Sequence, residues 1–246
     1  MRAHILPVLL LLASGPLSEV PSFAQTQTAA APTAEPHHHL LLENDAVLVF
    51  ALTLKPTEQA YAHYDHNFLM VALEDCEMVL WSEGQSPIAN FMFKPGDVHF
   101  LYSGPPRGFR NDRTTQCRTA IIEFLDPKVT TYGYQSQIGR WDYGASGIAP
   151  PPDPDAKFMD QMLIGTAAVK DVQLLAGDSF PPPDKGIAEL LIPVSDVDFK
   201  TESDVHVRKA SGKAVWMGAG RTSDLINASG GPVRFVMVEL PGGATP

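Results

Sequence analysis

Apolar positions along this chain come in short blocks of four to eight residues, each closed by glycine, proline or a polar cluster. Val47 to Leu54 (VLVFALTL) is β-branched and aromatic-rich and ends at Lys55-Pro56. Phe68 to Leu73, Met78 to Trp81, Phe91 to Phe93, Val98 to Tyr102 and Thr119 to Phe124 continue the pattern in the first half. Val172 to Leu175, Ile187 to Val194 and the alternating Val205-His206-Val207-Arg208 do so in the second. Blocks of this length, with turn residues between them and no long segment of period 3.6, predict an all-β barrel or sandwich. One stretch reads differently: Asp155 to Ile164 sets Phe158 four residues before Met162 and Met159 four before Leu163, which predicts one short helix.

The blocks repeat. Lys94 to Leu125 (KPGDVHFLYSGPPRGFRNDRTTQCRTAIIEFL) shares its skeleton with Ala210 to Leu240 (ASGKAVWMGAGRTSDLINASGGPVRFVMVEL). Gly96 matches Gly212, Gly104 matches Gly220, Asn111 matches Asn227 and Glu123 matches Glu239, all 116 positions apart and without a gap. Each copy reads as a glycine turn, a strand, a second glycine turn, a polar link closing on Asn, and an apolar strand. Two domains of one architecture, related by a pseudo-twofold axis, are therefore expected.

The second glycine turn resembles the second sequence motif of the cupin family, Gly-x-x-His-x-x-x-Asn. In Gly104-Pro105-Pro106-Arg107-Gly108-Phe109-Arg110-Asn111 the histidine position holds Arg107, and in Gly220-Arg221-Thr222-Ser223-Asp224-Leu225-Ile226-Asn227 it holds Ser223. The first cupin motif supplies His-x-His and a following Glu to one metal ion. The matching stretch here, Tyr61-Ala62-His63-Tyr64-Asp65-His66-Asn67-Phe68-Leu69-Met70, spaces its histidines by three and has Leu69 or Met70 in place of the Glu. On a regular strand His63 and His66 face opposite sides, and the same-face neighbour of His63 is Asp65. In the second copy the only histidine is His206, which reads as a residue on a strand face.

The resemblance implies two tandem jelly-roll barrels: barrel 1 over residues 41–126, a connector over 127–168 with the short helix inside it, and barrel 2 over 169–241. The connector carries Tyr132, Tyr134, Trp141 and Tyr143 and a proline run, and is too long for a plain loop. The departures from the motif favour binding or a structural role over turnover. The expected ligand site is His63, Asp65, His66 and Arg107, with no cofactor; Arg107 either grips a small anion with its planar fork or neutralises Asp65 or another acid beside it. The alternative is a metal-dependent enzyme of the oxygenase or isomerase type, holding Fe, Mn, Zn or Ni through His63, Asp65 and His66.

Composition narrows the setting. Arg2, the apolar run Ile5 to Ala13 and Ser22-Phe23-Ala24 read as a signal peptide over residues 1–24, so a secreted or periplasmic protein is expected. Residues 25–40, with His37-His38-His39, read as a disordered, solvated arm. A net charge of −10, with 18 Lys and Arg against 28 Asp and Glu, excludes the basic footprint that nucleic acid or an anionic membrane requires. Small-molecule partners and self-association stay open. In an exported chain the only two cysteines, Cys76 and Cys117, are expected to pair; two buried thiols packing as small hydrophobes is the other reading.

Overall fold

The computed structural model describes residues 29–85, 89–130, 134–135, 158–201 and 205–242. Among them the chain is almost entirely antiparallel β. The first half contributes β1 (His38–Glu43), β2 (Val47–Leu54), β3 (Gln59–Ala62), β4 (Phe68–Ala72), β5 (Cys76–Ser82), β6 (Ala89–Phe93), β7 (Val98–Leu101), β8 (Arg107–Asn111) and β9 (Cys117–Phe124). They form two sheets, ordered β1-β2-β9-β4-β7 and β3-β8-β5-β6. The second half repeats this with β10 (Tyr134–Gln135), β11 (Phe158–Ile164), β12 (Ala167–Leu174), β13 (Ser179–Phe180), β14 (Ile187–Pro193), β15 (Val197–Lys200), β16 (His206–Lys209), β17 (Val215–Ala219), β18 (Leu225–Asn227) and β19 (Val233–Pro241), ordered β10-β11-β12-β19-β14-β17 and β13-β18-β15-β16.

Three apolar cores follow from strand alternation. Phe50, Leu52, Phe68, Met70, Met78, Phe109 and Ile121 fill barrel 1 between its two sheets, and Val172, Leu174, Leu191, Phe199, Phe235 and Met237 fill barrel 2. The larger sheets of the two barrels then pack back to back through Val49, Leu69, Val71, Ile122, Val169, Leu190, Ile192 and Val238. This explains why β4 reads FLMVA without a polar break: Phe68 and Met70 face barrel 1, while Leu69 and Val71 face barrel 2.

The repeat register is visible in hydrogen bonds. The Asn111 side-chain amide donates to the carbonyls of Leu54 (3.0 Å) and Thr115 (2.8 Å), and that of Asn227 donates to the carbonyls of Leu174 (3.1 Å) and Gly231 (2.9 Å). The motif asparagine is therefore a brace tying the polar link to β2 in barrel 1 and to β12 in barrel 2. At the turn beneath it, the Thr57 amide donates to Asn111 O and the Gly177 amide to Asn227 O, both at 2.9 Å. Both turn residues have positive φ, 65° for Thr57 and 83° for Gly177, so one repeat places a β-branched residue where the other has glycine.

The two barrels interlock symmetrically. A Cβ built on Gly96 would lie 2.7 Å from the guanidinium carbon of Arg234, and one on Gly212 would lie 2.7 Å from Leu73 Cδ1 and 3.1 Å from Arg118 Nη2. Gly96 and Gly212 are 116 positions apart, and so are Arg118 and Arg234. Each barrel thus receives an arginine of the other against its turn glycine. Arg234 is held by Asp171 through two bonds of 2.9 and 2.6 Å, and Arg118 by Glu74 and by Ser211 O at 3.1 Å each.

Cys76 and Cys117 form a disulfide between β5 and β9, joining the two sheets of barrel 1, with Cα atoms 5.1 Å apart. The corresponding residues of barrel 2, Val197 and Val233, lie in its apolar core.

Two sequence expectations are corrected. Residues 158–164 form strand β11, paired with β12, and not a helix. The local i, i+4 pattern is overridden by pairing with β12, which the segment follows with a register shift between Asp160 and Met162. The N-terminal arm is not a free, solvated tail from residue 29 onwards. Ala30 forms a parallel bridge with Ala62, the His63 amide donates to Ala30 O at 2.9 Å, and β1 begins at His38 as the edge strand of the larger barrel 1 sheet. The His38 side chain is fully buried because Glu35 and Tyr64 satisfy both of its ring nitrogens, at 2.5 Å each. Residues 1–24, expected to be a signal peptide, the arm residues 25–28 and the connector positions Tyr132, Trp141 and Tyr143 lie outside the described residues. Among the described residues no helix is long and apolar enough to cross a membrane.

Candidate functional site

One end of barrel 1 gathers the residues singled out from the sequence. β3 ends at Ala62 and β4 begins at Phe68, so His63, Asp65 and His66 lie on the loop between the sheets. β7 ends at Leu101 and β8 begins at Arg107, and the pairings Ala62 with Arg107 and Phe68 with Leu101 bring both loops to the same end. Asn67 links them by accepting the Ser103 amide at 2.7 Å. Alternation decides which side chains face inward: Arg107 lies two residues before the core residue Phe109, and Glu123 two after Ile121. Gly108, between Arg107 and Phe109, cannot carry a side chain, since its Cβ would fall 1.9 Å from the Trp81 ring on the paired strand. The indole lying across this glycine fixes β8 against β5 next to Arg107.

Arg107 is only partly satisfied. Its Nη1 donates to Ser82 Oγ at 2.7 Å and its Nη2 to Tyr102 O at 3.2 Å, while its Nε is buried without a hydrogen-bond partner. Among the described residues no carboxylate lies within ion-pair distance of it. Burial pulls its affinity for the proton below the ordinary arginine value, yet a guanidinium stays charged at any physiological pH. Beside it, burial first and the Arg107 charge second push the His99 imidazole down to about 4. His99 stacks at a tilt on Phe91, ring centroids 4.8 Å apart, and is neutral at pH 7.

The remaining predicted residues are divided between two environments. His63 and Asp65 are exposed, 45% and 77%, and meet each other at 3.3 Å. Asp65 is therefore occupied by His63 and does not neutralise Arg107. His66 turns towards Glu123, donating its amide to Glu123 Oε1 at 3.0 Å, with Nδ1 3.6 Å from the same oxygen. Glu123 itself is buried, at 3% exposure, and makes no other hydrogen bond or ion pair among the described residues.

A family-type metal does not fit this arrangement. Two of the candidate donors pair with each other in solvent, the third turns to a backbone-bonded glutamate, and the fourth ligand position carries a guanidinium. Among the described residues no three His, Cys, Asp or Glu side chains converge as a ligand set.

The same end of barrel 2 was not anticipated from sequence. Glu189 on β14 and Glu239 on β19 are register partners facing inward, occupying the places of Phe68 and Glu123 in barrel 1. Arg221 spends every N–H it has: Nε on Glu189 Oε2 and Nη2 on Oε1, both at 2.7 Å, Nη2 on Pro181 O at 2.6 Å, and Nη1 on Ser223 O at 2.8 Å and Phe180 O at 3.3 Å. Its cation also lies 5.5 Å over the Phe180 ring. Lys170, inward-facing on β12, donates to Glu239 at 2.6 Å. Both charges of each pair are answered, and the mouth of barrel 2 is chemically closed. The match of Glu123 to Glu239 was the one available signal for this site; Arg221 stands two residues before the motif position and had none.

A third cluster went unread as well. Glu35, His38 and Tyr64 form a buried carboxylate-imidazole-phenol chain between the arm and the barrel 1 wall. Burial, with the Glu123 and Glu35 charges behind it, pushes the Tyr64 phenol well above its ordinary value, so it is a hydrogen-bonding and packing group, stacked on Phe68 at 4.1 Å.

Comparison with known proteins supports the fold. No family model matches the sequence. No characterised protein matches it at the sequence level either. Among solved structures the chain is similar to AerE from Microcystis aeruginosa (TM-score 0.58, 10% identity, covering 83% of this chain and 92% of that one). It is similar to a vicilin from Capsicum annuum (0.56, 12% identity, 82% and 77%) and to a salicylate 1,2-dioxygenase from Pseudaminobacter salicylatoxidans (0.53, 10% identity, 83% and 76%).

Proposed function

Starting from the cupin fold of both halves, we propose that this chain is an exported, non-catalytic binding protein that holds a small anion, of the carboxylate class, at the mouth of barrel 1. The fold by itself does not choose, since a dioxygenase and a vicilin are both among the similar structures. Arg107 carries the choice: a half-buried guanidinium with a buried, unpartnered Nε and only neutral hydrogen-bond partners among the described residues is a receptor awaiting a two-pronged acceptor. Barrel 2, whose arginine is fully bonded, serves as scaffold. The protein is metal-free in this reading, because the histidines that would hold an ion are engaged with Asp65 and Glu123. The apolar start and small-x-small site of residues 1–24 support export to a secreted or periplasmic location, in keeping with the disulfide.

The test is a thermal-shift screen of small carboxylates and phosphates against wild type, Arg107→Ala and Arg107→Lys. A ligand at a hundred times its dissociation constant adds about 2.7 kcal/mol of stability. Arg107→Ala is expected to remove the response and Arg107→Lys to weaken it by losing the fork, while Ser223→Ala at the matching position of barrel 2 leaves it unchanged. Identical responses in wild type and Arg107→Ala would refute the proposal. Purified untagged protein is expected to hold far less than one equivalent of Fe, Mn, Zn or Ni; a stoichiometric ion lost in His63→Ala would restore the enzyme reading.

A further inference from the structure

The barrel 1 mouth differs from the barrel 2 mouth at both ends of its charge pattern. In barrel 2 Lys170 answers Glu239 and Glu189 answers Arg221. In barrel 1 the position of Lys170 is Phe50 and that of Glu189 is Phe68, both fully buried in the apolar core. The replacements remove one cation and one anion, leaving, among the described residues, Arg107 on the smaller sheet without a carboxylate and Glu123 on the larger sheet without a lysine. Arg107 and Glu123 do not pair with each other. Glu123 keeps only the His66 amide and a long approach from its ring, both on Oε1. Glu123 Oε2 takes no hydrogen bond or ion pair among the described residues, so this carboxylate, 3% exposed, has an oxygen left for a donor as Arg107 has an Nε left for an acceptor.

We infer that the ligand of barrel 1 is a zwitterion, an amino carboxylate whose anionic end lies on Arg107 and whose ammonium lies on Glu123. This rests on the anion-binding reading and adds the second charge to it. A ligand of this kind replaces in one molecule the two partners that Phe50 and Phe68 have displaced. A dianion meets Glu123 as a like charge and is excluded, which makes the carboxylate also a filter.

The experiment uses isothermal titration of the full chain with propionate, glycine, β-alanine, γ-aminobutyrate and N-acetylglycine. At least one of the three free amino carboxylates is expected to bind on the order of tenfold or more tighter than propionate, a difference of about 1.4 kcal/mol. N-acetylglycine, which keeps the carboxylate and loses the ammonium, is expected to fall back to the propionate level. Glu123→Gln, which retains an acceptor for the His66 amide, is expected to abolish the amine preference, so that the free amino carboxylates bind no tighter than propionate in that variant. Arg107→Ala is expected to abolish both. Arg107-dependent binding in which all five compounds are equal overturns the zwitterion and leaves the anion site standing. Absence of any Arg107-dependent binding removes both. The comparison of free and acetylated amino groups is made on the wild-type protein, so it decides the matter even if Glu123→Gln folds poorly.

Discussion

Two arginines at matching ends of two like-folded barrels have opposite fates. Arg221 makes five hydrogen bonds and faces a carboxylate of zero exposure; Arg107 makes two, both to neutral oxygens. The same fold has used one guanidinium to close a mouth and kept the other open. What separates them is not the arginine but its surroundings: Glu189 against Phe68 on the facing strand, and Lys170 against Phe50 beside it. A site in a duplicated fold is thus best found by asking which charge has lost its partner between copies.

The largest expected effect breaks this contrast directly. Arg221→Ala leaves Glu189 buried and uncompensated and is expected to cost about 3–5 kcal/mol. Arg107→Ala, which leaves no buried partner charge, is expected to cost under about 1 kcal/mol. Urea melts of the two variants measure the difference, and equal losses would show that Arg107 is a structural ion like its counterpart.

Next in size is the link between sheets. Barrel 1 joins β5 to β9 by a disulfide where barrel 2 uses Val197 and Val233. Closing a 41-residue separation contributes about 3–4 kcal/mol in the chain-entropy model. The double change Cys76→Val and Cys117→Val, which copies barrel 2, is expected to lose most of that in a denaturant midpoint. A loss below about 1 kcal/mol would show that the apolar pair is an equal substitute.

A pH effect of intermediate size belongs to barrel 1 alone, since barrel 2 has only His206, on its surface strand. Burial, with Arg107 adding to it, lowers His99 from 6.5 to about 4, so between these values the unfolded chain binds a proton that the folded one refuses. Stability from this source is complete above about pH 6.5 and is lost as pH falls towards about 4, with no further loss below. His99→Gln is expected to flatten the stability-against-pH curve in that window. An unchanged slope would place the proton elsewhere.

The smallest effect is a gain. Thr57→Gly gives barrel 1 the residue that barrel 2 already has at Gly177, and relief of the positive φ is expected to add up to about 1 kcal/mol, offset in part by glycine's unfolded-state entropy. A lower melting temperature in Thr57→Gly would mean that the threonine side chain is worth more than its strain.

The fold was legible because period-2 blocks and turn glycines are local signals, and because the 116-residue register names the same strand twice. The disulfide was legible from count and expected export alone. The arm was misread since His38, the middle of three consecutive histidines, gives no local sign that Glu35 and Tyr64 will enclose it. Residues 158–164 carry a helix-like i, i+4 spacing in sequence, and the partner strand β12 that makes them extended is not a local signal. At the mouth, Arg107 was legible as a departure from a motif. Its lack of a counter-charge was not, because the engagement of Asp65 by His63, two residues before it, is a matter of loop geometry. Glu189 and Arg221, 32 residues apart, meet only once the sheet is formed.

The reciprocal glycine-arginine contacts between the barrels also set a limit on assembly. Each half presents one socket, Gly96 or Gly212, and one key, Arg118 or Arg234, and every socket is filled by the other half's key. In the language of point groups the contact is isologous and closed: its rotation returns to the starting barrel after two steps. No key or socket is left over at this face to recruit another copy, so association by this surface stops at two barrels, and any larger assembly has to be built from a different one.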